Sequence, residues 1–122
     1  MVDYVTKGSN PWTEHYGALQ AEVPDPSDPG TALNTSFLTM LADADIVAVC
    51  GEASSHCVKN TVLQIAENIG AQHVAKFHLL SDCMSPVGAV PGADFPAIAK
   101  AWLQDMKSQY GMTICAADEF LA

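Results

Sequence analysis

Basic residues are scarce in this sequence, and so are charged residues in general. Five Lys and Arg stand against 14 Asp and Glu, which gives a formal net charge of −9. This acidity repels phosphate backbones and anionic lipid, so neither nucleic acid nor a membrane surface is an expected partner. Charged residues make up 16% of the chain, against about 25% in ordinary globular domains. The shortage indicates a surface that is partly covered by other protein.

Targeting segments, membrane spans and paired cysteines are missing as well. The first residues hold no apolar run of the kind that forms a secretory signal, and no apolar stretch approaches the roughly 20 residues of a membrane span. The four cysteines are widely spaced, with no C-x-x-C pair, which argues against zinc knuckles and disulfide frameworks. The four histidines show no zinc-site spacing. We therefore expect a cytoplasmic protein with reduced thiols.

The apolar pattern alternates between strand-like and helix-like segments along the 122 residues, which are enough for a single domain. Short apolar runs predict strands over residues 2–6, 46–50, 74–80 and 112–115. Apolar residues at helical spacing predict helices over residues 31–42, 56–69 and 95–106. This alternation predicts an α/β fold with a parallel sheet. The continuous apolar run at residues 46–50 further predicts a strand that is buried on both faces.

The segment with the clearest chemistry joins the second predicted strand to the second helix. Small and polar residues follow Gly51, and Cys57 then opens the helix. A thiol in the first helical turn lies near unpaired N–H groups and the positive end of the helix dipole, and both favour the thiolate. The same N–H groups can bind the oxygen of a tetrahedral intermediate. The alternative is a buried structural thiol, because free cysteine is among the most buried residue types.

The run G-E-A-S-S-H-C-V at residues 51–58, followed by Thr61, resembles the nucleophile motif of the isochorismatase-like cysteine hydrolases, a nicotinamidase-related family. Two shorter matches accompany it. Lys7, after the first predicted strand, resembles the catalytic lysine of the family, and Asp82 resembles its strand-end Asp after the nucleophile helix. The resemblance implies a three-layer α/β/α, Rossmann-like fold. This chain would be its carboxyl-terminal part, incomplete on the N-terminal side.

The resemblance also implies roles for individual residues. Cys57 would attack a small carboxamide, or another C–N bond, and form a thioester. The amides of Ala53 and Cys57 would form the oxyanion hole, and the Glu52–Ala53 peptide bond would be cis. Lys7 would lie beside the sulfur and stabilise the thiolate. The substrate pocket would include the side chains of Trp12, Tyr16 and His56.

One member of the family's Asp-Lys-Cys triad has no counterpart here, because the family Asp lies on a strand before the lysine. The metal ligands of the nicotinamidase branch fall in the same region. We thus expect no metal in this chain by itself, and zinc or another divalent metal only with the N-terminal part. The chain alone is expected to be inactive and to form a homo-oligomer or be completed by that N-terminal half. The alternative is a catalytically silent binding or assembly domain. Glu52 is a weaker candidate for a substitute acid.

Overall fold

The computed structural model describes residues 1–121 and shows an α/β fold around a three-stranded parallel sheet. The strands, in the spatial order β1-β2-β3, are β1 (Val47–Glu52), β2 (Phe77–Ser85) and β3 (Thr113–Cys115). The helices are α1 (Thr35–Asp43), α2 (Cys57–Asn68), α3 (Ala71–Val74) and α4 (Phe95–Tyr110), with short 3₁₀ turns at Pro29–Thr31 and Ala117–Glu119. The α/β prediction with a parallel sheet is confirmed.

Local capping fixes where the helices begin. The helix predicted from residue 31 starts later, because the Asn34 side chain accepts a hydrogen bond from Phe37 N–H and so caps α1. Asp94 caps α4 in the same way by accepting from Ala97 N–H. None of the helices in residues 1–121 has the length and apolar character needed to cross a membrane.

All the long helices share one hydrophobic core. Buried residues of α1, α2 and α4 form a single cluster with Phe77 and Leu79 of β2. Because side chains alternate along a strand, Phe77 and Leu79 lie on the same face of the sheet. The helices that contribute to this cluster therefore cover that face.

The opposite face of the sheet has little covering. Burial alternates along β1, where Ala48, Cys50 and Glu52 are exposed. At the other end of the chain, the ring of Phe120 contacts His78 edge-on, with centroids 5.3 Å apart. The prediction that β1 is buried on both faces is therefore wrong for the part of the chain that is described.

The strand predicted at residues 2–6 does not form. No regular secondary structure is found in residues 1–10, and Val2 and Val5 are 73% and 38% exposed. A strand needs hydrogen bonds from a neighbour, and the sheet made by the described residues offers residues 2–6 no pairing. Lys7 accordingly does not lie at the end of a strand, contrary to expectation.

The strand β2 is longer than predicted. Its pairing with β1 shifts register, so that Val49 lies opposite Leu79 but Gly51 lies opposite Met84. After this irregularity β2 continues to Ser85. Asp82 therefore lies within the strand, and the prediction that it follows the strand end is wrong.

The loop before α1 is fastened to α2. A Cβ atom at Gly17 would lie 2.9 Å from the backbone oxygen of Asn60 and would clash with Gln64 Oε1, so a side chain here would force α2 or Gln64 to shift. The next two backbone N–H groups donate to α2 side chains: Ala18 N–H to Thr61 Oγ1 at 3.0 Å and Leu19 N–H to Gln64 Oε1 at 3.0 Å. These contacts bury Leu19 to 1% exposure.

Thr31 is the polar centre of the same loop. Its side chain is 1% exposed, and its hydroxyl accepts from Asp25 N–H at 2.8 Å and donates to Asp28 O at 2.7 Å.

Thr31→Val keeps the shape but leaves Asp25 N–H without this acceptor, so we expect the free energy of unfolding in urea to fall by about 1–3 kcal/mol. The exposed Thr39, whose hydroxyl donates to Thr35 O, supplies the control, since Thr39→Val should change stability by less than about 0.5 kcal/mol. Equal effects of the two substitutions would contradict this account of the loop.

Candidate active site

A sharp turn connects the end of β1 to the start of α2. The strand ends at Glu52, the helix begins at Cys57, and residues 53–56 make the connection. Gly51 has φ +131°, a backbone conformation that side-chain-bearing residues rarely adopt. The peptide bond between Glu52 and Ala53 is cis, the form that the resemblance implied.

Within this turn, most backbone groups are paired. Ser54 N–H donates to Ser85 O at 2.9 Å, while His56 N–H and Val58 N–H both donate to Ala53 O at 3.1 Å. For three N–H groups, those of Ala53, Ser55 and Cys57, no acceptor is found among residues 1–121. Two of them, the amides of Ala53 and Cys57, are those that the resemblance assigned to the oxyanion hole. The turn therefore leaves free backbone donors at and near the sulfur-bearing residue.

Cys57 opens onto an apolar groove of about 370 Å³. The thiol is partly exposed. All residues of β1 line the groove, together with apolar side chains of α1 and α2. β1 is an edge strand of the sheet, so the groove runs along an unpaired strand edge.

His56 precedes Cys57 and is held away from it. Its Nδ1 lies 2.8 Å from Ser55 Oγ, and its ring packs on Phe95 with centroids 4.7 Å apart. Ser55 Oγ also accepts from Val87 N–H at 3.0 Å, which leaves the hydroxyl proton free to be donated to His56 Nδ1. The neutral ring would then carry its own proton on Nε2. His56 is not among the residues that line the groove.

The other residues predicted for the site lie elsewhere. Lys7 Nζ donates to His15 O at 3.0 Å and lines a separate pocket of about 150 Å³. Trp12 and Tyr16, which are 87% and 54% exposed, line a third pocket. Neither pocket includes Cys57, so the structure does not bring these three residues into the Cys57 groove.

The two carboxylates that the sequence singled out, those of Glu52 and Asp82, are already engaged. Both oxygens of Glu52 accept from Ser85, whose N–H lies 3.1 Å from one of them and whose hydroxyl lies 3.0 and 2.9 Å from the two. Asp82 accepts from Ala117 N–H at 2.8 Å. Their hydrogen bonds tie chain segments together, and neither carboxylate is free to serve as an acid for Cys57 without breaking them.

Sequence reasoning missed the contacts that hold the turn from outside. Trp102 of α4 donates from Nε1 to Ser54 O at 2.6 Å, and the strand-end residue Ser85 contacts both Glu52 and Ser54. Trp102 was predicted only as a core residue of its helix. A buried indole N–H does require an acceptor, but nothing in the sequence identifies an acceptor 48 residues away.

No group of three or more His, Cys, Asp or Glu side chains in residues 1–121 is arranged to hold a metal ion. The cysteines outside the turn are free thiols. Cys83 is distinctive among them, because burial raises the pKa of its thiol and the adjacent Asp82 carboxylate, 3.5 Å from the sulfur, raises it further.

Asp82→Asn should make Cys83 more reactive. The substitution removes the negative charge that opposes thiolate formation and keeps an oxygen for Ala117 N–H. The lower pKa then gives more thiolate at any pH below it, so alkylation by iodoacetamide at pH 8 should accelerate by about threefold. Peptide-resolved mass spectrometry measures this rate, with Cys115 in the same digest as the internal control. An unchanged Cys83 rate would show that the carboxylate does not influence the thiol.

In comparisons with known proteins, no family model, no curated protein and no solved structure matches this chain. The family resemblance therefore rests on the residues of the turn at 51–58 and on the shorter matches around it.

Proposed function

We propose that this chain carries the nucleophile of a cysteine amidohydrolase that resembles the isochorismatase-like, nicotinamidase-related enzymes. The observation that carries the proposal is that the amides of Ala53 and Cys57 are among the unpaired N–H groups of the turn that presents Cys57 at the start of α2. Two free backbone donors beside a thiol are what acyl transfer requires to stabilise a developing oxyanion.

The proposed reaction has two steps. The sulfur of Cys57 bonds to the carbonyl carbon of a carboxamide, the C–N bond breaks, and the nitrogen leaves as ammonia or an amine after taking up a proton. Water then adds to the thioester, the C–S bond breaks, and the acid is released while a proton returns to the sulfur. In both steps the carbonyl oxygen would carry negative charge and accept from Ala53 and Cys57.

The groove suggests the class of substrate. Its lining is mainly aliphatic and aromatic, with residues such as Phe37, Val49 and Val62, so the acyl part of the substrate is expected to be small and apolar. The net charge of −9 disfavours an anionic substrate. A neutral carboxamide, nicotinamide-like in size, fits both conditions. In this proposal His56, Trp12 and Tyr16, none of which lines the groove, contact the substrate only if their segments move.

Proton transfer needs groups that the turn does not supply. Lys7 and Glu52 are engaged by His15 O and by Ser85, respectively. We propose that the acid, and a lysine brought to Cys57, depend on further polypeptide beside β1, from an N-terminal segment or a second copy. The same polypeptide would complete the three-layer arrangement on the exposed face of the sheet. A zinc or other divalent ion would likewise need ligands beyond the described residues.

A silent binding or assembly domain is the second candidate. The engagement of Lys7 and Glu52 away from Cys57 favours it, since a domain without turnover has no need of a free acid. The two candidates differ in one testable respect: only the enzyme requires Cys57 to accept an acyl group.

An activated ester tests this directly, because its leaving group needs no acid. We expect p-nitrophenyl acetate to acetylate Cys57 of the full chain at least about tenfold faster than Cys115, another partly exposed thiol, since only Cys57 has the oxyanion donors. A stopped-flow burst of p-nitrophenol and peptide mass spectrometry measure the two rates. Cys57→Ala should abolish the burst, and Cys115→Ala should leave it unchanged. Equal acetylation of both thiols would favour the silent domain.

A further inference from the structure

Two hydrogen bonds, one buried and one partly buried, fasten the nucleophile turn to parts of the chain far away in sequence. Trp102 Nε1 donates to Ser54 O at 2.6 Å, and Val87 N–H donates to Ser55 Oγ at 3.0 Å. Ser54 and Ser55 are each 3% exposed, and Trp102 is 4% exposed. Water therefore has little access to replace the Trp102–Ser54 bond.

The position of the Ser54 carbonyl gives the Trp102 bond its significance. This carbonyl belongs to the peptide between Ser54 and Ser55, which lies midway in sequence between the unpaired amides of Ala53 and Cys57. Rotation of that peptide would change the direction of the chain on both sides of it. Ser54 N–H is held by Ser85 O at 2.9 Å, so with Trp102 in place the residue is fixed at both its N–H and its C=O.

The remaining contact between the turn and the strand end is more exposed. Glu52 and Ser85 are bonded at the surface, where water can replace either partner. A surface contact of this kind holds geometry less firmly than a buried one. Among the side-chain contacts that Ser54 and Glu52 make with residues outside the turn, the Trp102 bond is therefore the one that water can least easily replace.

We propose that Trp102 is a positioning residue for Cys57. Its indole N–H, supplied by α4, orients the Ser54–Ser55 peptide so that the amides of Ala53 and Cys57 both serve the sulfur and its acyl adduct. Trp102 touches neither the sulfur nor the substrate in this scheme and acts through Ser54 alone. The inference rests on the proposed function, because it concerns how the same turn is held in its working shape.

The experiment uses the full chain and two substitutions in α4. Trp102→Phe keeps an aromatic ring but removes the donor. Met106→Leu, one turn further along the helix, alters a side chain that is 1% exposed in the same core and conserves volume, so it reports general loosening of the core. Both variants are studied well below their thermal midpoints, with near-ultraviolet circular dichroism to establish that they are folded.

The main readout is the rate at which p-nitrophenyl acetate acetylates Cys57 at pH 7, resolved by peptide and compared with alkylation by iodoacetamide, which forms no oxyanion. We expect Trp102→Phe to slow acetylation by between about tenfold and a hundredfold, because the two amides no longer meet the developing oxyanion together, and to slow alkylation less. Met106→Leu should retain both parent rates even if its thermal midpoint falls. A parent-like acetylation rate in folded Trp102→Phe overturns the inference.

A second variant and a second readout keep the result decisive. If Trp102→Phe does not fold, Trp102→Leu, which also removes the donor to Ser54 O, should give the same loss of acetylation rate. Hydrogen exchange at Ser54 and His56, whose N–H groups are bonded to Ser85 O and Ala53 O, should accelerate in the Trp102 variant but not in Met106→Leu, as followed by NMR. If the parent Cys57 proves no more reactive than Cys115, the proposed function fails, while unchanged exchange at Ser54 and His56 would separately reject the positioning role.

Discussion

A tight turn whose central residues, Ser54 and Ser55, are buried must satisfy its peptide groups with little help from water, and this requirement shapes the region around Cys57. Ser54 is bonded at its N–H by Ser85 and at its C=O by Trp102, and Ala53 O accepts from two N–H groups that follow it. Because those bonds hold much of the turn, the N–H groups that stay unpaired, among them those of Ala53 and Cys57, become a defined feature. Reactivity at such a site would come from the donors that the turn leaves free.

The sheet around this turn combines a well-formed core with exposed edges and faces. Phe77 and Leu79 are fully buried beneath the helices, whereas β1 lies at an edge and has an apolar groove along it. An unpaired strand edge next to apolar surface is a favourable place for further polypeptide to pair. The same place is where the proposed reaction lacks an acid, so completion of the sheet and completion of the site would be a single event.

Local patterns predicted the parts of the fold that depend on local forces. The spacing of Val58, Val62 and Ile65 identified α2, and the turn was placed within two residues, since β1 continues through Gly51 to Glu52 before it. The strand at residues 2–6 was wrong because pairing depends on a neighbour elsewhere in the chain. The same limit applies to the site. The sequence indicated Cys57 as the nucleophile, yet the partners of its turn, Trp102 and Ser85, are set by tertiary contacts that carry no local signal.

The most direct test of the central claim is a crystal structure of the chain after reaction with a small aromatic aldehyde such as benzaldehyde, which forms a tetrahedral adduct with a reactive thiol. The account predicts an adduct on Cys57 whose oxygen lies about 2.7–3.1 Å from both Ala53 N and Cys57 N, with the aromatic ring in the groove beside β1. An adduct on another cysteine, or one on Cys57 with its oxygen directed away from both amides, would contradict it.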